Sequence, residues 1–250
     1  MKNLIDLHLH LPLGKQEETE DMLHVASELG YKSVGVPLPK RSRQDLTNDL
    51  RKTCISHGLD LITRVDLSPK SPKDLIRDLR QLRRRFELVS VNCQSKTVAR
   101  QAAKDHRVDL LVFPSINPRQ RFFDLAEARL ASQGLAALEV EMASLLRHYG
   151  SHRVRLISCL RKEVAIAKRL KVPIVISSNA HDIYEMRGSH EQISLATLFD
   201  LESNLAREAV TRVPMSIVKR NREKLRPSYV ARGIRVVGRG KNCDEYGNAI

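Results

Sequence analysis

The chain has no tryptophan, only 4% aromatic residues, and far fewer acids than bases. Each shortage excludes something. So few rings leave no material for a sheet face paved with stacking platforms for nucleobases. The four cysteines, Cys54, Cys93, Cys159 and Cys243, lie far apart with no Cys-x-x-Cys pair. Neither a zinc ribbon nor a disulfide scaffold is encoded, and buried thiols in a reducing compartment are expected. No run approaches the ~20 apolar residues needed to cross a bilayer, and no apolar segment follows a basic start at the amino terminus. The expected place is the cytoplasm, with no membrane partner.

Against those shortages stands an excess of cations. Lys and Arg number 43 against 29 Asp and Glu, giving a formal net charge of +14. Charge of this size concerns partners rather than fold, and its commonest soluble partner is a polyanion. With aromatics scarce, contacts to phosphate and to RNA shape are expected. The 250 residues, 42% of them apolar, suffice for one α/β barrel or for two ordinary domains.

Periodicity separates those options. Short runs of branched apolar residues recur at 4–10, 33–39, 59–67, 88–93, 109–115, 136–142 and 172–180. Amphipathic stretches fill the gaps, as in EETEDMLHVASELG, where Met22, Val25, Ala26 and Leu29 share a face and Gly30 supplies the stop. Ser71 before Pro72, and Ser95, are helix caps by type and position. Strict alternation implies parallel strands joined by right-handed crossovers. Seven units favour a closed or nearly closed TIM-type barrel over an open doubly wound sheet. Past residue 190 the pattern becomes two or three extra C-terminal helices, interrupted near Pro214. One domain, 1–226, is expected, followed by a basic, mobile tail, 227–250.

The amino-terminal stretch DLHLH carries the sharpest chemical signal. Strand alternation puts Asp6, His8 and His10 on one side, at the carboxyl end where parallel barrels keep working residues. The other strand ends offer Arg64 and Asp66, Asn92 and Cys93, Ser115, Glu139 and Glu141, and Ser177, Asn179 and His181. Three readings are open. The histidines are hydrogen-bonded interior residues, or His8, His10 and His181 hold one residual metal with Glu139, or they belong to an active hydrolase centre. Multinuclear metal sites need several bridging carboxylates, and Arg64 and the neutral Asn179 work against that.

DLHLH followed much later by SSNAHD resembles the PHP family of metal-dependent phosphoesterases. The chain departs from that pattern at Pro37, Leu38 and Pro39, where an Asp-His is expected, at Arg64 and Asp66 in place of a Glu, and at Asn179 in place of the last Asp. The segments DLLVFPSIN, ALEVEMASLLRHYG, VISSNAHDIYEMRGSHEQISLATLFDL and PMSIVKRNREKL together resemble ribonuclease P protein component 3 of archaea and its eukaryotic counterpart, over residues 4–226. That resemblance implies a PHP-like barrel that supports a catalytic RNA in removing the 5′ leader from precursor tRNA. It implies ribonuclease P RNA, component 2 and other protein subunits as partners, and precursor tRNA as the substrate of the complex. No catalytic residue and no firmly held cofactor are expected in the chain, magnesium entering through the RNA. The rivals are a free-standing metal-dependent PHP-type phosphoesterase and a ligand-binding barrel without an RNA role.

Phosphate contacts would come from cations on one surface. Loops after the strands supply Lys40, Arg41, Arg43, Lys96, Arg119, Arg121 and Arg187, and a late basic run adds Lys219, Arg220 and Arg222. For each, the competing reading is a solvated helix face or a structural ion pair. For Arg187 that pair would be with Glu185 or a neighbouring helix carboxylate.

Overall fold

The computed structural model describes residues 4–231 and 234–236. Seven strands follow the seven apolar runs: β1 (Leu4–Asp6), β2 (Tyr31–Pro37), β3 (Asp60–Leu67), β4 (Leu88–Asn92), β5 (Leu110–Val112), β6 (Ala137–Glu141) and β7 (Ile174–Ser177). They pair in chain order, all parallel. Outside them run α1 (Gln16–Glu28), α2 (Gln44–Ser56), α3 (Pro72–Leu82), α4 (Lys96–Lys104), α5 (Leu125–Gln133), the short α6 (Met142–Arg147) and the long α7 (Gly150–Leu170). The caps are those the residue types predict. Ser71 Oγ accepts from the Asp74 amide at 3.2 Å, with Pro72 opening α3, and Ser95 Oγ accepts from the Val98 amide at 3.3 Å. Gly30 ends α1 at φ +85°, a conformation that a side chain would strain.

β1 is shorter than the apolar run. The Asp6 carboxylate takes the His8 amide at 3.0 Å, which bends the chain out of the ladder. The bent backbone at Leu7 lies so close to β2 that a Cβ on Gly35 would stand 2.8 Å from Leu7 Cα. Only glycine fits there. Asp6 also accepts from the Ser178 amide at 3.0 Å and from the Ser178 hydroxyl, so it clasps the seam between β1 and β7 instead of joining His8 and His10. Above that clasp, the Asn179 amide donates to His8 O at 2.8 Å and the His10 amide to Ala180 O at 2.9 Å, around a parallel bridge between Leu9 and Ala180. Below it, the Ile5 amide turns to Val210 O at 3.1 Å. The result is a nearly closed barrel.

Two-residue periodicity stacks its interior in layers. Ile62, Leu88, Leu110, Ala137 and Val175 form the floor with Ile5 and Leu7. Two residues further along β3, β4, β6 and β7 come Arg64, Ser90, Glu139 and Ser177, all buried. The interior therefore turns from apolar to polar along its axis.

After β7 come α8 (Ser189–Ala196), α9 (Ser203–Ala209) and α10 (Arg212–Leu225). The break between the last two falls before Arg212. Pro214 sits in the first turn of α10, where a missing N–H costs nothing, rather than at the interruption expected there. α10 plugs the amino-terminal end of the barrel, packing Ile217 and Val218 on the apolar floor. Beyond it, β8 (Tyr229–Ala231) and β9 (Ile234–Arg235) pair antiparallel, with the Tyr229 amide on Arg226 O at 3.0 Å and Arg235 paired with Glu223. The first part of the segment read as a mobile tail is thus a hairpin beside α10. Residues 237–250 lie outside the described residues. Among the latter, no helix is long and apolar enough to cross a membrane.

Because Ile217 is 4% exposed and seals the floor, Ile217→Ala is expected to lower stability by about 2–4 kcal/mol. Chemical denaturation checks this, and a loss within error would mean that α10 is a loosely held flap.

Candidate functional site

Arg64 is the largest fully buried side chain of the described residues. Its guanidinium crosses the barrel from β3 to β6, giving Nη1 to Glu139 Oε1 at 2.6 Å and Nη2 to Glu139 Oε2 at 2.8 Å. Nη1 also reaches Leu7 O at 2.8 Å, and Nε reaches Asp66 Oδ1 at 2.7 Å. Burial favours the neutral form, but Asp66 and Glu139 override it and keep the group charged. Asp66 in turn is raised by burial, yet the Arg64 charge and the His8 contact hold it well below the usual carboxylate range.

His8, 5% exposed, sits above this pair. Its Nε2 is 3.3 Å from Asp66 and its Nδ1 is 3.0 Å from Glu141, close contacts in which neither nitrogen makes an aligned hydrogen bond. Burial and Arg64 push the imidazole down, and the two carboxylates overcome them to lift it to about 9. Glu141 is also raised by burial but held low by His8. Next outward, His10 tilts against His8 with centroids 4.6 Å apart and stacks on His181 at 4.0 Å and 17°. Burial and the cation at His8 drive His10 down to about 4, and burial and Arg147 lower His181.

Among the described residues, the group with metal-ligand spacing is His8, Glu139 and Glu141, their ligand atoms within 4.8 Å of one another. This shares His8 and Glu139 with the one-metal reading but lacks its His10 and His181. His10 and His181 face one another as stacked rings instead of converging on a point. The donor set does not suit a metal, because both Glu139 oxygens already bind a guanidinium that cannot leave. Three carboxylates face two cations supplied by the chain itself.

The RNA-contact candidates divide by their carboxylate neighbours. Arg41, Arg43 and Arg119 are exposed around the mouth, without an ion pair among the described residues. Lys40 lies 2.5 Å from Asp78 and Lys96 lies 3.1 Å from Asp124, both partly exposed. Arg121 is not a surface cation: its side chain is 6% exposed, with Nε and Nη2 each 2.6 Å from Glu163. Arg187 does not pair with Glu185. Its Nη1 donates to Tyr184 O at 2.6 Å and Met186 O at 2.7 Å, and the Glu185 partner is Arg147. In the late run, Lys219 is exposed, while Arg220 meets Asp109 at 2.7 Å and Arg222 bridges Asp60 at 2.8 Å and Glu87 at 2.6 Å. These acids lie at or just before the starts of β3, β4 and β5. Arg220 and Arg222 therefore fasten α10 to the closed end, away from the mouth. Arg147, Arg153, Arg155, Tyr149 and Tyr184 are not among the expected contacts: Tyr184 enters the sequence reading only within the VISSNAHDIYEMRG resemblance, Arg147 and Tyr149 carry no periodic signal, and Arg153 and Arg155 lie in the periodic stretch that forms α7, where helix cations are common.

Removing Arg64 leaves Glu139 buried without its guanidinium partner and Asp66 with His8 alone. Arg64→Met is expected to cost about 3–5 kcal/mol near neutral pH. An unchanged melting temperature would contradict it. The wild-type chain also carries a pH signature. His8 rises from 6.5 to about 9 on folding, so its contribution is full below 6.5 and is lost as pH climbs through 9, by about 3 kcal/mol in all. His8→Gln should flatten that alkaline limb in urea melts recorded between these values, and a limb that persists in the variant would assign it elsewhere.

Comparison with known proteins places this geometry. The pattern described as RNase P subunit p30 matches residues 3–226. Ribonuclease P protein component 3 of Methanosarcina barkeri is 30% identical over 225 residues, 90% of this chain and 92% of that protein. Its counterpart in Methanococcoides burtonii is 26% identical over 94% of both. A chain in the cryo-EM structure of archaeal ribonuclease P with mature tRNA superposes with a TM-score of 0.83 at 21% identity, covering 95% of this chain and 99% of that one. A putative prolidase from Bifidobacterium longum shares the barrel more distantly, with a TM-score of 0.54 at 12% identity over 89% of this chain and 70% of that one. With its pattern matched along almost the whole barrel, the chain belongs to the RNase P subunit p30 family.

Proposed function

We propose that the chain is a protein subunit of ribonuclease P, supporting a catalytic RNA in endonucleolytic removal of the 5′ leader from precursor tRNA. The observation that carries this reading is the family match over residues 3–226. The partners are ribonuclease P RNA, component 2 and the other protein subunits, and precursor tRNA is the substrate of the complex. Work in the cytoplasm goes with this role. Arg41, Arg43 and Arg119, exposed around one mouth, supply phosphate contacts of the kind that hold folded RNA.

The chain contributes no cleavage chemistry of its own, and magnesium enters with the RNA. In support, Arg64 fills the coordination face of Glu139 and neutralises the charge that would otherwise attract a divalent ion. A free-standing phosphoesterase would need those carboxylate oxygens open.

Reconstitution tests both parts. The chain added to ribonuclease P RNA and the remaining subunits should promote precursor tRNA cleavage, and alone, with manganese or zinc, it should cleave nothing. Turnover by the chain alone that vanishes in His8→Ala would reverse the assignment. Arg41→Ala and Arg119→Ala should each lower the slope of log K against log salt by roughly 0.7–0.9 at unchanged melting temperature. Arg121→Ala should behave oppositely, losing about 3–5 kcal/mol of stability because Glu163 is left buried without its partner.

A further inference from the structure

Two tyrosines stand out from the protein at the barrel mouth. Tyr149, between α6 and α7, is 81% exposed, and Tyr184, in the turn after β7, is 80% exposed. Among the described residues no other large apolar or aromatic side chain is as open to water. Their loops follow neighbouring strands, β6 and β7, and are locked together. Arg147 grips the Glu185 carboxylate and also donates to Asn179 O at 3.2 Å. Tyr149 lies two residues beyond Arg147, and Tyr184 adjoins Glu185. The far side is anchored too, since the buried Tyr31 hydroxyl donates to Arg187 O at 2.7 Å while Arg187 Nη1 holds Tyr184 O. Both rings thus rise from one braced unit.

The charge around them is positive. Arg153 and Arg155 follow Tyr149 on α7, exposed and without a carboxylate partner among the described residues, Arg153 being steadied by a hydrogen bond from its Nε to His148 O at 2.5 Å. The acids of the unit are already engaged: Asp182 accepts the Tyr184 and Glu185 amides at 2.8 and 3.0 Å, and Glu185 holds Arg147 and the His181 amide. Exposed rings beside uncompensated guanidiniums fit a ligand that is flat and anionic at once. An unpaired nucleotide is both, offering a base face and a phosphate, whereas a protein partner would have to bring acids of its own.

We propose that Tyr149 and Tyr184, with Arg153 and Arg155, form a docking surface for an unpaired stretch of RNA, the bases stacking on the rings and the phosphates meeting the guanidiniums. The inference rests on the ribonuclease P reading and names the kind of RNA segment the mouth contacts. The test uses the full chain with a short fluorescent single-stranded RNA and with the same sequence as a duplex. The double variant Tyr149→Ala/Tyr184→Ala should bind the single strand roughly 5- to 20-fold more weakly and the duplex as the wild type does. Tyr149→Phe/Tyr184→Phe should retain binding, because the ring face remains. Arg155→Ala should weaken both probes and reduce their salt dependence. Both tyrosines are exposed, so melting temperatures should match the wild type. Unchanged single-strand affinity in the double alanine variant overturns the proposal. So does a loss seen only as weaker binding of another ribonuclease P protein subunit, which would make the surface a protein contact. Failure of the wild-type chain to join ribonuclease P RNA, with the tyrosine dependence intact on the short probe, would instead remove the functional reading and leave the surface standing.

Discussion

The clasp of Arg64 on Glu139 inside the barrel governs the rest of the mouth. A buried guanidinium has five donors to satisfy, and here the acceptors come from three separate strand regions: Leu7 O beyond β1, Asp66 on β3 and Glu139 on β6. One side chain therefore sets the distance across the interior. It also sets the charges above it. With Asp66 held as a carboxylate, His8 acquires a partner on one side and finds Glu141 on the other. Burial and a cationic His8 then keep His10 neutral, and a neutral His10 can stack on His181. Ions buried this deeply stabilise little in total and cost much when one partner is removed, so the network specifies the mouth more than it strengthens the fold.

That internal balance separates this barrel from the metal-dependent phosphoesterases its first strand resembles. A divalent ion gathers carboxylates by charge and leaves open positions for water. Arg64 takes both oxygens of Glu139 and one of Asp66 and adds no open position. The barrel keeps its shape, and its carboxyl-terminal end becomes a surface on which exposed cations and rings are displayed.

The two ends of the barrel use basic residues in opposite ways. At the closed end, Asp60, Glu87 and Asp109 wait near the strand starts, and Arg220 and Arg222 pin α10 to them. At the open end, Arg41, Arg43 and Arg119 meet no such acids among the described residues. An arginine is pinned into the scaffold or left exposed according to whether a carboxylate lies within reach, and Arg121, folded under its own loop onto Glu163, shows how local that decision is.

The sequence by itself determined the seven strands, most of their helices, the caps at Ser71 and Ser95, and the family, because these rest on signals within a few residues of one another: alternation, periodicity, and the order of short motifs. It also showed Arg64 where a metal-binding acid would stand. Only the tertiary structure decided where that arginine's charge goes, since Glu139 is 75 residues away. The same holds for the early end of β1, set by Asp6 clasping Ser178 from 172 residues away, and for the burial of Arg121. The exposure of Tyr149 and Tyr184 has no local mark either, because a tyrosine's sequence neighbours do not say whether another element will cover it.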